Sequence, residues 1–220
     1  MDKQEQYDKY MEDPCRFSSL PLWKEQSFVR PQGLRVFHRE EWAALSAEKR
    51  SFCGQTQRFF RVKHDLQEIP ASPLPDGLQS MPVMCLDEEE QARVAGFIQA
   101  CYPDIAFNRE SAASLTRTPA FCPKLWLWIK DEQHKSLALG LCDADIRTGE
   151  GILEWIQVHP SARGRGIGSM LVCELLRRMK VMELSFATVS GDLDNLDNPL
   201  GLYRRCGSTG EDVWYISSKE

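Results

Sequence analysis

The feature that most constrains this chain is a glycine-rich run between a strand-like segment and a helix-like one. The run is Arg163-Gly164-Arg165-Gly166-Ile167-Gly168-Ser169. It comes shortly after the strand-like segment Glu154-Trp155-Ile156-Gln157-Val158. Apolar side chains at helical spacing come next, namely Ile167, Leu171, Leu175 and Met179. The pattern predicts a tight turn from a strand, broken at Pro160, into a helix over 166–179.

The composition of this turn favours binding of a phosphate group. Glycine adopts dihedral angles that other residues avoid and lets the backbone approach a ligand closely. The N–H groups at a helix start, together with the helix dipole, favour an anion, and Arg163 and Arg165 add guanidinium groups suited to phosphate. A Walker loop is excluded because no Gly-Lys-Ser/Thr follows, and a dinucleotide motif would need glycine where Ser169 stands. The structural alternative is a turn whose arginines are merely solvated.

The same turn resembles motif A of the GNAT superfamily of N-acetyltransferases, whose pattern is Gln/Arg-x-x-Gly-x-Gly/Ala. Arg163, Gly166 and Gly168 fill its fixed positions. The resemblance implies that N–H groups from Gly164 to Ser169 bind the pyrophosphate of CoA. It also implies that the main chain of 156–158 pairs with the pantetheine arm, through Ile156, Gln157 and Val158, and that the Ile156 N–H polarises the acetyl carbonyl.

A second run, from Asn195 to Gly207, resembles motif B of the same superfamily. Tyr203 fills the place of the tyrosine that faces the CoA sulfur, and Asn198 is added to the cofactor-binding set by the same resemblance. A departing thiol has a pKa of about 8.5, so a hydroxyl donor at the sulfur lowers the barrier. The structural alternative is a core tyrosine on a short helix. Ser208 departs from the family pattern, which has an aromatic residue there.

The general base is predicted from the strand before the turn. Alternation places Ile152, Glu154, Ile156 and Val158 on one face. A carboxylate among branched apolar side chains should have a raised pKa, which makes Glu154 the candidate base. Three alternatives stay open: Glu154 paired with a basic residue or facing solvent, His159 as the base, and a water relay.

The predicted fold class is α+β: a GNAT fold with a mixed central sheet flanked by helices. The GNAT domain is assigned to 77–220, and 1–76 is assigned to an N-terminal extension packed on the core. That extension is expected to be irregular apart from a strand at 34–37 and a helix at 40–47. An alternative is that its aromatic residues wall the acceptor pocket or form a homodimer contact. Within the domain, helices are expected at 87–102, 108–115, 166–179 and 199–205, and strands at 125–129, 136–142, 152–158, 186–189 and 213–216.

The composition of the chain argues against several classes of binding partner. The net charge of -5 disfavours general nucleic-acid binding. No apolar run approaches the ~20 residues that span a bilayer, and the polar N-terminus lacks an export signal, so a cytoplasmic protein away from membranes is expected. The eight cysteines contain no CxxC pair, so reduced thiols and no metal site are expected.

These observations predict an enzyme that transfers an acetyl group directly from acetyl-CoA to a primary amine. The acceptor, a small molecule or a peptide, is left open because a fold does not determine its substrate. Two alternatives remain: a non-catalytic acyl-CoA-binding sensor or regulatory module, and a structural protein whose turn binds nothing. Retention of Tyr203 favours the enzyme over the sensor.

Overall fold

A computed structural model describes residues 1–27, 29–84 and 86–218, with Glu211 described in its main chain only, and shows a mixture of helices and strands. The helices are α1 Lys3–Glu12, α2 Pro14–Phe17, α3 Leu22–Ser27, α4 Arg39–Ala44, α5 Ala47–Ser51, α6 Glu88–Cys101, α7 Arg109–Leu115, α8 Ile167–Val181 and α9 Pro199–Arg205. The strands are β1 Leu34–His38, β2 Gln55–His64, β3 Leu78–Pro82, β4 Phe121–Asp131, β5 Ser136–Asp145, β6 Glu150–Val158, β7 Phe186–Asp192 and β8 Thr209–Ser218.

The chain divides into two compact units. The first contains 1–64, 188–204 and the chain from Ser208 onward, so it draws on both ends of the sequence. The second contains 65–187 and 205–207. The strand β2 belongs to the first unit, together with the C-terminal strand β8 with which it pairs.

In the second unit, an antiparallel meander of four strands in the order β6-β5-β4-β3 carries helices on both faces. Leu139 and Leu141 of β5 pack in one buried cluster with Val94 and Ile98 of α6. The intervening Gly140 faces α8, where an added Cβ would lie 2.7 Å from Cδ1 of Leu175. The sheet is therefore flanked by helices, and the predicted α+β class is confirmed.

Two helix starts in this unit form as the sequence predicts. The Asp87 side chain accepts from the N–H of Glu90 at 2.9 Å, and α7 begins with the same contact from Ser111 to Asn108. The Glu90 carboxylate, however, accepts from Nε1 of Trp128 at 2.7 Å in a buried contact. At α6 the Asp87 side chain therefore caps the helix, while the Glu90 carboxylate, which in a capping box would accept from the Asp87 N–H, bonds to Trp128 instead.

In the first unit, β8 lies between β1 and β2, with both pairs antiparallel, and β7 follows β2 in the sheet order. The register of β2 on β8 runs from Gln55 opposite Ser218 to Phe60 opposite Val213. The expectation of an irregular N-terminal region was wrong here, since β2 is a ten-residue strand. Strand β1 at Leu34–His38 matches the predicted strand.

The described cysteines are free thiols. Seven are buried: Cys15, Cys53, Cys101, Cys122, Cys142, Cys173 and Cys206. Cys85 lies outside the described residues. Within the described ranges, no helix is long and apolar enough to cross a membrane, and no group of three or more His, Cys, Asp or Glu side chains is placed to hold a metal ion.

Candidate acyl-CoA site

The approach to the glycine-rich turn is a 3-10 turn over Pro160–Ala162 that His159 caps. Nδ1 of His159 accepts from the N–H of Ser161 at 3.2 Å and lies 2.7 Å from its Oγ. The ring of His159 also contacts Phe97, with centroids 6.0 Å apart. These contacts give His159 a local structural role at the end of β6.

The two glycines that follow adopt left-handed backbone angles, with φ of 75° at Gly164 and 76° at Gly166. L side chains are strained in that region, so glycine is required by conformation. A Cβ built at Gly164 would meet no heavy atom within 4 Å. The turn therefore presents a bare backbone with open space beside Gly164.

The start of α8 carries N–H groups that no side chain caps. Gly166 is the N-cap residue and makes no side-chain capping bond, and the first helical bond runs from the Met170 N–H to the Gly166 carbonyl at 3.2 Å. Among residues 1–27, 29–84 and 86–218, none is recorded as accepting from the N–H groups of Gly164 through Ser169. Backbone N–H groups at the positive end of a helix, here one of 15 residues, are an arrangement that favours an anion.

The two arginines of the turn differ in their contacts. Arg163 donates through Nε to the carbonyl of Val158 and through one terminal nitrogen to the carbonyl of Cys101, both at 3.2 Å. It thus ties the end of β6 to the end of α6. Arg165 is exposed, and within the described part of the chain no hydrogen bond or ion pair is recorded for it. The structure separates an arginine that supports the turn from one whose guanidinium is available.

A β-bulge lies in β6, immediately before the turn. Trp155 pairs with Leu141 of β5, and the next pair toward the chain start is Leu153 with Cys142, so Glu154 is the extra residue. Toward the turn, the pairing is regular again, with Ile156 opposite Gly140. The bulge therefore reverses the alternation of faces along β6.

This reversal corrects the prediction that Ile152, Glu154, Ile156 and Val158 share one face. Residues directly opposite each other in antiparallel strands lie on the same face. Ile152 lies opposite Asp143, on the α6 side, whereas Ile156 lies opposite Gly140, on the α8 side. Glu154 is half-buried at the bulge itself. The apolar surroundings expected for its carboxylate were derived from an alternation that the strand does not follow.

Gln157 contributes a feature that the sequence analysis did not identify. It pairs with Leu139, which places it on the face of Trp155 and of the aromatic cluster around Phe107. Its side chain is 2% exposed, and neither its Oε1 nor its Nε2 has a hydrogen-bond partner in the described structure. The predicted contribution of Gln157 was its main chain, and no sequence pattern distinguishes a buried glutamine from a surface one.

Tyr203 and Asn198 belong to the first unit. Tyr203 is 6% exposed, and its ring lies 6.0 Å from that of Phe60. Asn198 has a φ of 48°, and its Oδ1 accepts from the Gly201 N–H at 3.0 Å, which starts α9. A cleft of about 750 Å³ opens beside α9, lined by Asn198, Leu200, Gly201, Arg204 and Gly210. The predicted helix at 199–205 is confirmed.

The family comparison agrees with this geometry. The family described as the acetyltransferase (GNAT) domain matches residues 124–207, a span that contains the bulged strand, the glycine turn and α9. Residues 124–207 are therefore similar to a GNAT acetyltransferase domain. No protein of curated function matches it in sequence.

Solved structures agree with the GNAT fold. A GCN5-related N-acetyltransferase from Sphaerobacter thermophilus superposes with a TM-score of 0.69 at 19% identity, covering 89% of this chain and 64% of that chain. A second one, from Kribbella flavida, gives 0.56 at 14% identity, with 85% and 68% covered. The ribosomal-protein-S18-alanine N-acetyltransferase of Escherichia coli gives 0.51 at 12% identity, with 64% and 92% covered. This chain thus spans less than two thirds of the length of the Sphaerobacter structure.

Proposed function

We propose that this protein is an N-acetyltransferase of the GNAT superfamily that moves an acetyl group from acetyl-CoA directly to a primary amine. The observation that carries the proposal is the start of α8, where the N–H groups from Gly164 to Ser169 have no recorded acceptor and no side chain caps the helix. A helix start of this kind favours a diphosphate.

The residues of the turn fit the pyrophosphate of CoA. Left-handed angles at Gly164 and Gly166 turn the backbone without a side chain in the way, and the space beside Gly164 is open. Arg165 is exposed and can add a charge-assisted bond to a phosphate oxygen. Arg163 supports the turn by donating hydrogen bonds to the carbonyls of Val158 and Cys101. Acetyl-CoA bound in this way would supply an acyl thioester.

The main chain of β6 is proposed to direct the pantetheine arm. Ile156, Gln157 and Val158 lie between the bulge and the turn, in the position that the family resemblance assigns to this contact. The N–H of Ile156 is the proposed donor to the acyl oxygen. A fixed main-chain donor at an oxygen that gains negative charge stabilises the transition state.

Proton transfer is assigned to two side chains. The Tyr203 hydroxyl is proposed to donate its proton to the departing sulfur, and Asn198 to help fix the coenzyme near α9. The Glu154 carboxylate is proposed to take the proton of the attacking amine, directly or through water. Its half-buried position at the bulge leaves the carboxylate reachable by an amine or by a relay water.

Direct transfer is favoured over an acyl group bound to Cys101 or Cys142. Burial raises the pKa of the Cys101 thiol to about 11. Burial likewise raises the pKa of Cys142, whose pairing partner Leu153 adjoins the bulge, well above its usual range. Thiols of this kind stay protonated near neutral pH, and a protonated thiol is a poor nucleophile.

The test begins with ligand binding and continues with turnover. CoA should raise the melting temperature, whereas pantetheine, which lacks the pyrophosphate, should raise it far less. Release of free CoA thiol from acetyl-CoA is then followed against a panel of small amines and peptides with free N-termini. No stabilisation by CoA would contradict the phosphate assignment. Binding without turnover on any amine would instead favour the non-catalytic sensor.

A further inference from the structure

One side chain of strand β2, Phe60, contacts Tyr203, the proposed general acid. Phe60 is 1% exposed, and its ring lies 6.0 Å from the Tyr203 ring, with the two planes at 53°. Distances and angles of this size are typical of interacting aromatic pairs. The N-terminal part of the chain therefore contacts Tyr203 directly.

The Phe60 ring also packs closely against Gly191 of β7. A Cβ built at Gly191 of β7 would lie 2.6 Å from Cζ of Phe60 and 2.8 Å from its Cε1, closer than side chains approach each other. The ring of Phe60 thus packs directly on the main chain of Gly191, which restricts the movement of the ring.

Neighbouring contacts hold β2 in place beside Phe60. The next residue, Arg61, is 1% exposed and donates to the Tyr10 hydroxyl at 2.9 Å and to the Ser190 hydroxyl at 3.1 Å. On the other edge, the Phe60 main chain pairs with Val213 of β8. Phe60 therefore projects from a strand that is fixed on both sides.

The helix that carries Tyr203 cannot fix this side chain by itself. It spans seven residues, and helices of this length have little stability of their own. Gly201, its third residue, has no side chain that could hold the helix against its surroundings. Arg204 ties its end to the carbonyl of Ser208 at 3.2 Å, but that contact orients the backbone rather than the tyrosine ring.

We infer that Phe60 is a positioning residue for Tyr203, so that the N-terminal strand β2 is a functional part of the acetyl-transfer machinery. The inference rests on the proposed function, in which the Tyr203 hydroxyl protonates the departing sulfur. Phe60 contacts the ring of Tyr203, and its effect on turnover is exerted through the direction of that hydroxyl.

The test is a double-mutant cycle of Phe60→Leu with Tyr203→Phe, measured as kcat and KM on the best amine of the panel. Phe60→Leu should lower kcat about tenfold, since small displacements of a reacting group are costly, and should leave both KM values within about twofold. In the Tyr203→Phe background, the same change should have no further effect on kcat. Equal losses in both backgrounds, or a kcat near that of the wild type, would overturn the inference.

Phe59→Leu is the matched control. It is the same chemical change on the same strand, but Phe59 points to the other face of the sheet and lies opposite Trp214. It should leave kcat unchanged. Phe60→Met replaces Phe60→Leu if the leucine variant does not fold, because methionine fills space flexibly without a ring.

A readout that needs no turnover separates this inference from the proposed function. The chain has five tyrosines, so ¹³C labelling of tyrosine gives few signals, and Tyr203→Phe identifies that of Tyr203. Phe60→Leu should shift or broaden the Tyr203 signal, and Phe59→Leu should not. An unchanged Tyr203 signal overturns the positioning role whatever the turnover. Absence of turnover in the wild type contradicts the proposed function, and with it the catalytic part of this inference.

Discussion

The guanidinium of Arg163 and the carbonyl of Val158 lie 3.2 Å apart, which joins the first residue of the glycine turn to the last residue of β6. The same side chain reaches the carbonyl of Cys101 at the end of α6. An arginine with these contacts supports the shape of the turn, whereas Arg165, two residues later, has no recorded contact within the described ranges. Substitution of the two arginines should therefore have different effects on stability and on CoA binding.

Arg165→Ala should weaken CoA binding about tenfold and leave the melting temperature unchanged, because it removes a charge-assisted bond to phosphate and no internal contact. Arg163→Ala should lower the melting temperature as well as the CoA affinity, because it frees two carbonyl groups. Calorimetric titration with CoA and thermal melts of both variants measure the difference. Equal melting temperatures for the two variants would argue against a supporting role for Arg163.

Gly164→Ala tests whether backbone conformation alone makes the turn sensitive to substitution. The change adds a Cβ that meets nothing within 4 Å, but it forces alanine to a φ of 75° at a cost of roughly 1–2 kcal/mol. We expect lower stability and weaker CoA binding. Gly96→Ala is the control, since Gly96 lies in α6 with equally open space, and there alanine should raise stability by about 0.5–1 kcal/mol. Denaturant unfolding measures both, and a neutral Gly164→Ala would show that the turn adapts.

The glycine turn could be predicted from the sequence and strand β2 could not, because the turn depends on local residues and the strand on distant ones. The left-handed positions of Gly164 and Gly166 are local properties, which glycine spacing reveals directly. Strand β2 is different because Arg61, a charged residue, occupies a fully buried position. Its partners Tyr10 and Ser190 are far away in sequence, so the run looks polar until the chain is folded.

The bulge at Glu154 escaped prediction for a related reason. An extra residue in a strand is defined by its partner strand, and here the pairs Trp155–Leu141 and Leu153–Cys142 reveal it. Alternation along β6 alone cannot show where the register changes. Gln157 illustrates the same limit, because its burial depends on the cluster that Trp155 joins across the sheet.

Gln157→Leu should stabilise the protein. Replacing an amide that is 2% exposed and lacks a partner with an apolar side chain of similar size removes a desolvation cost of about 1 kcal/mol or more. Glu90→Leu is the comparison in the same cluster and should destabilise by about 1–3 kcal/mol, because Nε1 of Trp128 loses its acceptor. Chemical denaturation of both variants gives the two signs, and a destabilised Gln157→Leu would point to an unseen partner for the amide.

The buried thiol of Cys101 should make the folded protein less stable at high pH. Burial raises the pKa of its thiol to about 11 in the folded protein. The unfolded thiol ionises near pH 8.5, so folding retains a proton that the unfolded chain releases. This contribution is complete below about pH 8.5 and is lost as the pH rises toward 11. Melting temperatures measured between these limits should fall less steeply for Cys101→Ala, and parallel curves for variant and wild type would refute the assignment.

Tyr203→Phe separates chemistry from binding. The change removes one hydroxyl from a side chain that is 6% exposed and keeps the ring that packs on Phe60, so the fold and the CoA affinity should be retained. If the hydroxyl protonates the departing sulfur, kcat should fall about 10²-fold, the usual contribution of a positioned acid. An acyl donor with a more acidic thiol leaving group should lose less, because its sulfur needs less help to depart. Unchanged turnover with acetyl-CoA would remove Tyr203 as the acid, and an equal loss with both donors would assign it to orientation of the coenzyme.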